Sequence, residues 1–233
     1  MMIQPKKTKC MVITSRQKHQ LTPLTLDLSA NNNKIEQVHT HKVLGVTLDD
    51  DLSWGTHVDS LSKKLARSLF LLNRLKCYID SDACKIFFNA HCLSHINYAS
   101  TIWSCAAKNH LARLNSLYKR AAKIILPNPL LSTTQKQAAL DMLPLNKQLE
   151  FNKLVSVFKT RINLAPTYIT GLLNKRHRYN SMNYLLPHAR LDLYKTSFAF
   201  SGAHLWNSLP PHLKVCSSLS TFKIKLRHYL QQS

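Results

Sequence analysis

The run from Lys42 to Lys76, KVLGVTLDDDLSWGTHVDSLSKKLARSLFLLNRLK, constrains the fold more than any other stretch. Val43, Leu44, Val46 and Leu48 read as a short buried strand, and Gly45 lets another backbone approach or lets the strand bulge. Asp49, Asp50, Asp51 and Ser53 then read as a turn, because short polar side chains bond the nearby backbone. After them the period becomes helical. Val58, Leu61, Leu65, Leu69 and Leu72 recur three or four apart and line one face. Lys63, Arg67 and Arg74 fall within about 40° of one another on the opposite face, at about 100° per residue, with Lys64 beside them. One side of this helix requires a core and the other attracts anions.

The rest of the chain repeats that division. Its N-terminal part reads as strands at Cys10–Ile13, at Leu24, Leu26 and Leu28, and at Ile35–Val38, with a turn at Asn31–Asn33. Helices follow from His57. The first is expected over about 57–76. The second is capped by Asp80–Ser81 and buries Ala83, Phe87, Ala90 and Leu93. Asn109 caps the third, which Pro127 ends. Leu114, Leu117, Tyr118, Ala121 and Ile125 share its apolar face, while Arg113, Lys119, Arg120 and Lys123 share the other. A short helix over Thr133–Leu143 and a longer one over Asn146–Asn163 come next. From Pro166 to Arg190 the sequence is basic and irregular, with Lys175, Arg176, His177 and Arg178 in a row, read either as a loop on nucleic acid or as a solvated linker.

Charge narrows the partner. Lys and Arg number 32 against 11 Asp and Glu, a formal net charge of +21. That excess points to nucleic acid, held through its phosphates, before membrane. The alternative for each basic stripe is an ordinary exposed helix face. No apolar run is long enough to span a bilayer, and Met1–Met2 leads into polar sequence, so an intracellular protein, nuclear or cytoplasmic, is expected. The six cysteines follow no tight spacing and read as reduced thiols.

Motif order gives a resemblance. Lys6 to Thr14 (KKTKCMVIT), then LGVTLDDDLSW with His57, then the helix ending NRLK, then Tyr98 to Trp103, resemble in sequence the C-terminal part of non-LTR (LINE-type, jockey-like) retrotransposon reverse transcriptases. So does the tail, with Gly202-x-x-Leu-Trp-Asn-x-Leu-Pro210 followed by Ser218, Phe222 and Lys223; Trp206 is expected to anchor a satellite core. The family usually has Asn where this chain has Gln4. The resemblance implies the end of a polymerase palm, a primer-grip strand at Leu44, Gly45 and Val46, and a thumb of helices. The implied fold is α+β and mainly α: a small N-terminal antiparallel β-meander over 1–55, a helical thumb-like domain over 56–165, and a basic C-terminal segment with short helices over 166–233.

The sequence offers no recognisable set of catalytic groups. Polymerisation needs carboxylates that hold two metal ions. In the family part of that set is an aromatic-Ala-Asp-Asp motif upstream of the Lys-Thr-Lys block, and these residues are expected to start after it. Asp49-Asp50-Asp51 reads as a turn, not a metal site. His57-x-Asp59 matches a ligand spacing of iron/2-oxoglutarate dioxygenases, a minor alternative, but positions i and i+2 of a helix do not face each other. Cys84, His91 and His95 share a helix face with Cys92 adjacent, without the knuckle that a zinc site carries. No catalytic residue, metal, cofactor or small-molecule substrate is expected. The function expected is that of a truncated reverse-transcriptase remnant that retains duplex or primer–template binding through Lys63, Lys64, Arg67, Arg74, Arg113, Lys119, Arg120 and Lys123. The alternatives are a domesticated nucleic-acid-binding module and a protein-interaction scaffold.

Overall fold

Short strands paired two by two occupy the N-terminal part of the computed structural model, which describes residues 4, 7–15, 18, 25–30, 33–174 and 182–232. β1 (Lys9–Cys10) runs parallel to β4 (Glu36–Gln37); β2 (Ser29–Ala30) is antiparallel to β3 (Asn33–Lys34). β5 (Thr40–Val43) and β6 (Val46–Asp49) form a hairpin, with Thr40 opposite Asp49 and Val43 opposite Val46. The antiparallel pairs are therefore separate ribbons, not one continuous meander. Of the strand expected at Cys10–Ile13 only Cys10 is in a strand, and Leu26 and Leu28 lie exposed outside any strand. Leu24, Asn31 and Asn32 lie outside the described residues, as do Lys175 to Arg178.

The expected single strand Val43–Leu48 is corrected to two strands and a turn. Leu44 and Gly45 have φ of 47° and 84°, so both central residues are left-handed. That is the two-residue turn whose twist matches the flanking strands. The Tyr98 hydroxyl donates to the Leu44 carbonyl at 2.5 Å. A Cβ on Gly45 would stand 3.4 Å from the Tyr98 ring. Leu44 is 85% exposed, so the motif's first residue presents its side chain to solvent.

The acidic run after β6 closes the entry to a helix. The Asp49 carboxylate is buried and accepts from Ser53 Oγ at 2.6 Å and from the Trp54 amide at 3.1 Å. Asp51 accepts from the Ser53 amide at 3.1 Å, and Asp50 meets His39 Nδ1 at 2.6 Å. From there α1 (Gly55–Leu75) runs with Val58, Leu61, Leu65, Leu69 and Leu72 buried. Asp80 caps α2 (Ser81–Phe88) by accepting from the Ala83 amide at 2.7 Å.

The face that α2 buries differs from expectation. Cys84, Phe88, Cys92 and Ile96 are buried, whereas Ala83, Phe87 and Leu93 are only half-buried and Ala90 is exposed. Residues strictly four apart drift by about 40° per step on an α-helix. A π-helical turn at Asn89–Leu93 absorbs that drift and returns Ile96, on α3 (Ser94–Asn97), to the core. α4 (Ser100–Trp103) then buries Trp103, whose indole donates to the Tyr98 carbonyl at 3.0 Å.

α5 (Lys108–Ile125) starts earlier than its sequence cap suggests. Ala107 stands at the N-cap, and Asn109 lies inside the first turn, where its side-chain oxygen accepts from the His110 amide. α6 (Thr133–Ala139) begins with Ser132 and Gln135 capping each other's amides. α7 (Leu145–Arg161) is followed by the short α8 (Thr167–Thr170) and α9 (Asp192–Thr196) and a π-helical turn at Phe198–Gly202. That turn leads into α10 (Ala203–Ser208), after which come α11 (Pro211–Lys214) and α12 (Leu219–Gln232).

Two cores result. The first gathers the leucines of α1 with Phe88, Trp103, Leu114, Tyr118 and Ile125. The second gathers Phe158, Trp206, Phe222, Leu226 and Leu230; the rings of Phe158 and Phe222 stack with centroids 4.2 Å apart, and Trp206 lies in this second core, as expected. A Cβ on Gly202 would come within 3.1 Å of Val157, so glycine lets the segment entering α10 lie close on α7. α7 serves both cores: Leu145 and Leu149 face the first, Leu154, Val155, Val157 and Phe158 the second. The fold is mainly helical with small N-terminal strands. No helix among the described residues is long and apolar enough to cross a membrane.

Candidate nucleic-acid interface

Packing α1 and α5 against each other settles which way their cations face. Each helix is apolar along one side only, so burying that side turns the other to water. On α1, Lys63, Lys64, Arg67 and Arg74 are all exposed; on α5, Arg113, Lys119, Arg120 and Lys123 are as well. The two helices begin side by side. Arg113 Nη1 lies 3.4 Å from the Asp59 carboxylate, with His110 Nδ1 at 3.9 Å from the same group. Asp59 sits about 40° to 80° round α1 from Lys63, Arg67 and Arg74, and Arg113 about 20° round α5 from Arg120. The ion pair thus joins the edges of the two basic stripes. It also gives Arg113 an internal acid partner.

The residues expected as a primer grip are split by the hairpin. Leu44 and Gly45 form its tip, while Val46 is 7% exposed and packs in the first core. His57 links this hairpin to α1: its Nδ1 accepts from the Thr47 amide at 3.3 Å. Burial holds the His57 imidazole below its ordinary pKa, and Lys64 and Lys42 add to the effect. Asp59, two residues on, turns instead to α5.

Cys84, Cys92, His91 and His95 do not converge on one point. Cys84 and Cys92 are buried in the core while His91 and His95 are exposed. Burial raises the Cys92 thiol to about 11, as befits a core residue. Among the described residues, no group of three or more His, Cys, Asp or Glu is arranged to hold a metal ion.

Two kinds of residue escaped the sequence reading. Lys136, Lys153 and Lys214 are buried and so add to the net charge without offering it to a partner. Lys153 Nζ donates to Ser201 Oγ at 2.9 Å, and Lys214 Nζ to the Asn207 carbonyl at 2.9 Å; burial lowers the pKa of both amines. The second is Phe70, which lies on the basic face of α1 and is 64% exposed. Its signal was available, since it stands three residues after Arg67 and four before Arg74. Elsewhere a hollow of about 860 Å³ is walled by Leu52, Ile102, Leu164, Ile169 and Leu191, with Lys159 its one charged liner. Cys105 and Tyr194 also line it, and burial raises the Cys105 thiol above its ordinary pKa, which disfavours a thiolate nucleophile there.

Comparison with known proteins gives one distant and partial likeness. An alignment over 114 residues, covering 47% of this chain, is 30% identical to the "Probable RNA-directed DNA polymerase from transposon BS" of Drosophila melanogaster. The matched stretch makes up 12% of that protein, so the chain spans far less than its whole length. No protein-family model matches the chain. No solved structure matches it.

Proposed function

We propose that these residues are a part of a reverse transcriptase that grips nucleic acid without carrying out polymerisation, retained as a remnant or as a domesticated binding module. The outward stripes of α1 and α5 hold a duplex by its phosphates, and the N-terminal strands are the edge left from a palm. The observation that carries this reading is the opposition of faces on α1. Its buried leucines require Lys63, Arg67 and Arg74 to stand in water, without any carboxylate within ion-pair distance of them among the described residues. The distant likeness to a transposon polymerase supports a reverse-transcriptase ancestry. The acids support the non-catalytic reading, because most are engaged within the fold. Asp49 and Asp51 close the turn, Asp59 and Asp141 hold Arg113 and Arg227, and Asp80 caps α2.

The test is a salt titration of binding to one RNA–DNA duplex by fluorescence anisotropy. Each phosphate neutralised releases a counterion, so log affinity should fall with log salt by about 0.9 per contact. Changing Lys63, Arg67 and Arg74 together to Gln should flatten that slope by about two to three units. Thermal stability should stay nearly constant, since exposed charges contribute little to folding. Coinciding slopes with both proteins folded would remove α1 from the interface and favour the interaction scaffold.

A further inference from the structure

Phe70 stands where a polar residue would cost nothing. At about 100° per residue it falls within about 60° of Lys63, Arg67 and Arg74 on the outward face of α1. Its neighbour Leu69 is buried in the first core, but Phe70 points away and is 64% exposed. The Arg74 guanidinium sits over the ring, 5.5 Å from its centroid. The stripe on α5 has no counterpart: Tyr118, the one aromatic of that helix, is 1% exposed and in the core.

We propose that Phe70 is a stacking platform for an unpaired base, so that α1 takes single-stranded nucleic acid, or the single-stranded stretch beside a duplex, while α5 takes phosphates alone. This rests on the reading of α1 as a nucleic-acid face. In a duplex each base has its flat faces covered by its neighbours, and a protein meets only groove edges and backbone. An open aromatic ring set among phosphate-binding cations matches a base whose face is free, and such stacking tolerates any sequence. Arg74 fits the same role twice. Its guanidinium covers one side of the ring through a cation–π contact and carries a charge for the adjoining phosphate. Lys63 and Arg67, toward the start of α1, continue the track for the neighbouring nucleotides.

The experiment compares a fluorescein-labelled 12-nucleotide RNA with a blunt RNA–DNA duplex of the same length, using the whole chain and two variants. Phe70→Leu removes the π face from an exposed site and leaves the core alone. Phe70→Trp keeps a stacking ring and reports on it, because the native tryptophans Trp54, Trp103 and Trp206 are all buried. Phe70→Leu should weaken single-strand binding roughly tenfold. It should change duplex binding by less than about twofold and leave the salt slope of both unaltered. Phe70→Trp should bind the single strand as the native chain does, with its added fluorescence quenched at saturation. Single-strand affinity unchanged in Phe70→Leu, equal losses on both probes, or no quenching in Phe70→Trp would each overturn the proposal. So would a change confined to self-association, which would make Phe70 a protein contact. If the triple Gln variant flattens the duplex slope while Phe70→Leu is silent, this inference falls alone. If the native chain binds neither probe, the reading of α1 falls with it.

Discussion

The hairpin β5–β6 and the helix α1 are adjacent in sequence and built on opposite principles. β5 is exposed along all four residues, and the hairpin is held by backbone pairing and by a turn in a conformation that side chains resist. α1 buries five large apolar side chains, three of them with no exposed surface at all. Backbone hydrogen bonds open to water contribute little net, because water replaces them. Buried leucines contribute one to several kcal/mol each (roughly 2 to 3 for a full side chain). The hairpin therefore borrows its stability from the helix, through Val46, Asp49 and His57.

The sharpest break of that contrast is the same substitution on both sides. Leu65→Ala, in the first core, is expected to cost about 2 to 5 kcal/mol in urea denaturation. Leu44→Ala, at the hairpin tip, should stay within about 0.5 kcal/mol. Comparable losses would mean that the tip is covered in solution.

Hydrogen exchange measures the contrast without mutation. Amides of β5 should exchange at least about a hundredfold faster than those in the middle of α1. Within the hairpin, Thr47 on β6 should be slower than its partners on β5, since its amide is held by His57. Equal protection of β5 and α1 would show the strands to be self-sufficient.

A smaller effect tests the link itself. The folded-state pKa of His57 is depressed, so the unfolded chain binds its proton first as pH falls below about 6.5. The stability His57 provides is therefore complete above that value and lost below it. A proton on Nδ1 would also face the Thr47 amide donor to donor. The thermal-midpoint gap between the native chain and His57→Gln should narrow as pH falls from about 7.5 to about 5.5. A constant gap would detach the link from imidazole charge.

These regions also differ in how far the sequence reveals them. α1 was legible because five apolar residues at helical spacing admit one reading, and its basic stripe lies where that reading puts it. The hairpin was not, because a Leu-Gly pair gives a weaker turn signal than Asn-Gly. A left-handed leucine is stabilised by a partner remote in sequence, here Tyr98. The buried face was misplaced by one residue on α2 itself and by two and three residues beyond it, where a π-helical turn changes the period in a way apolar spacing alone does not announce. The cap of α5 was misplaced because Asn109 bonds an amide from inside the first turn, as an N-cap residue would from outside it. Of the candidate interface, the cations were legible from spacing and the withdrawal of Lys136, Lys153 and Lys214 was not. Amphipathic side chains are buried by neighbours that come from far along the chain.

α7 leaves the molecule without a seam. Its first turns are a wall of one core and its last turns a wall of the other, so neither core is complete without it. A chain cut after Arg161 would bare Leu154, Val157 and Phe158 to water, and a chain cut before Leu145 would open the floor beneath Ile125 and Leu140. The two cores are therefore expected to melt in one transition, and truncation into α7 is expected to unfold both. A helix shared in this way ties the two halves of the packing to one another, so a substitution in either core is felt in both.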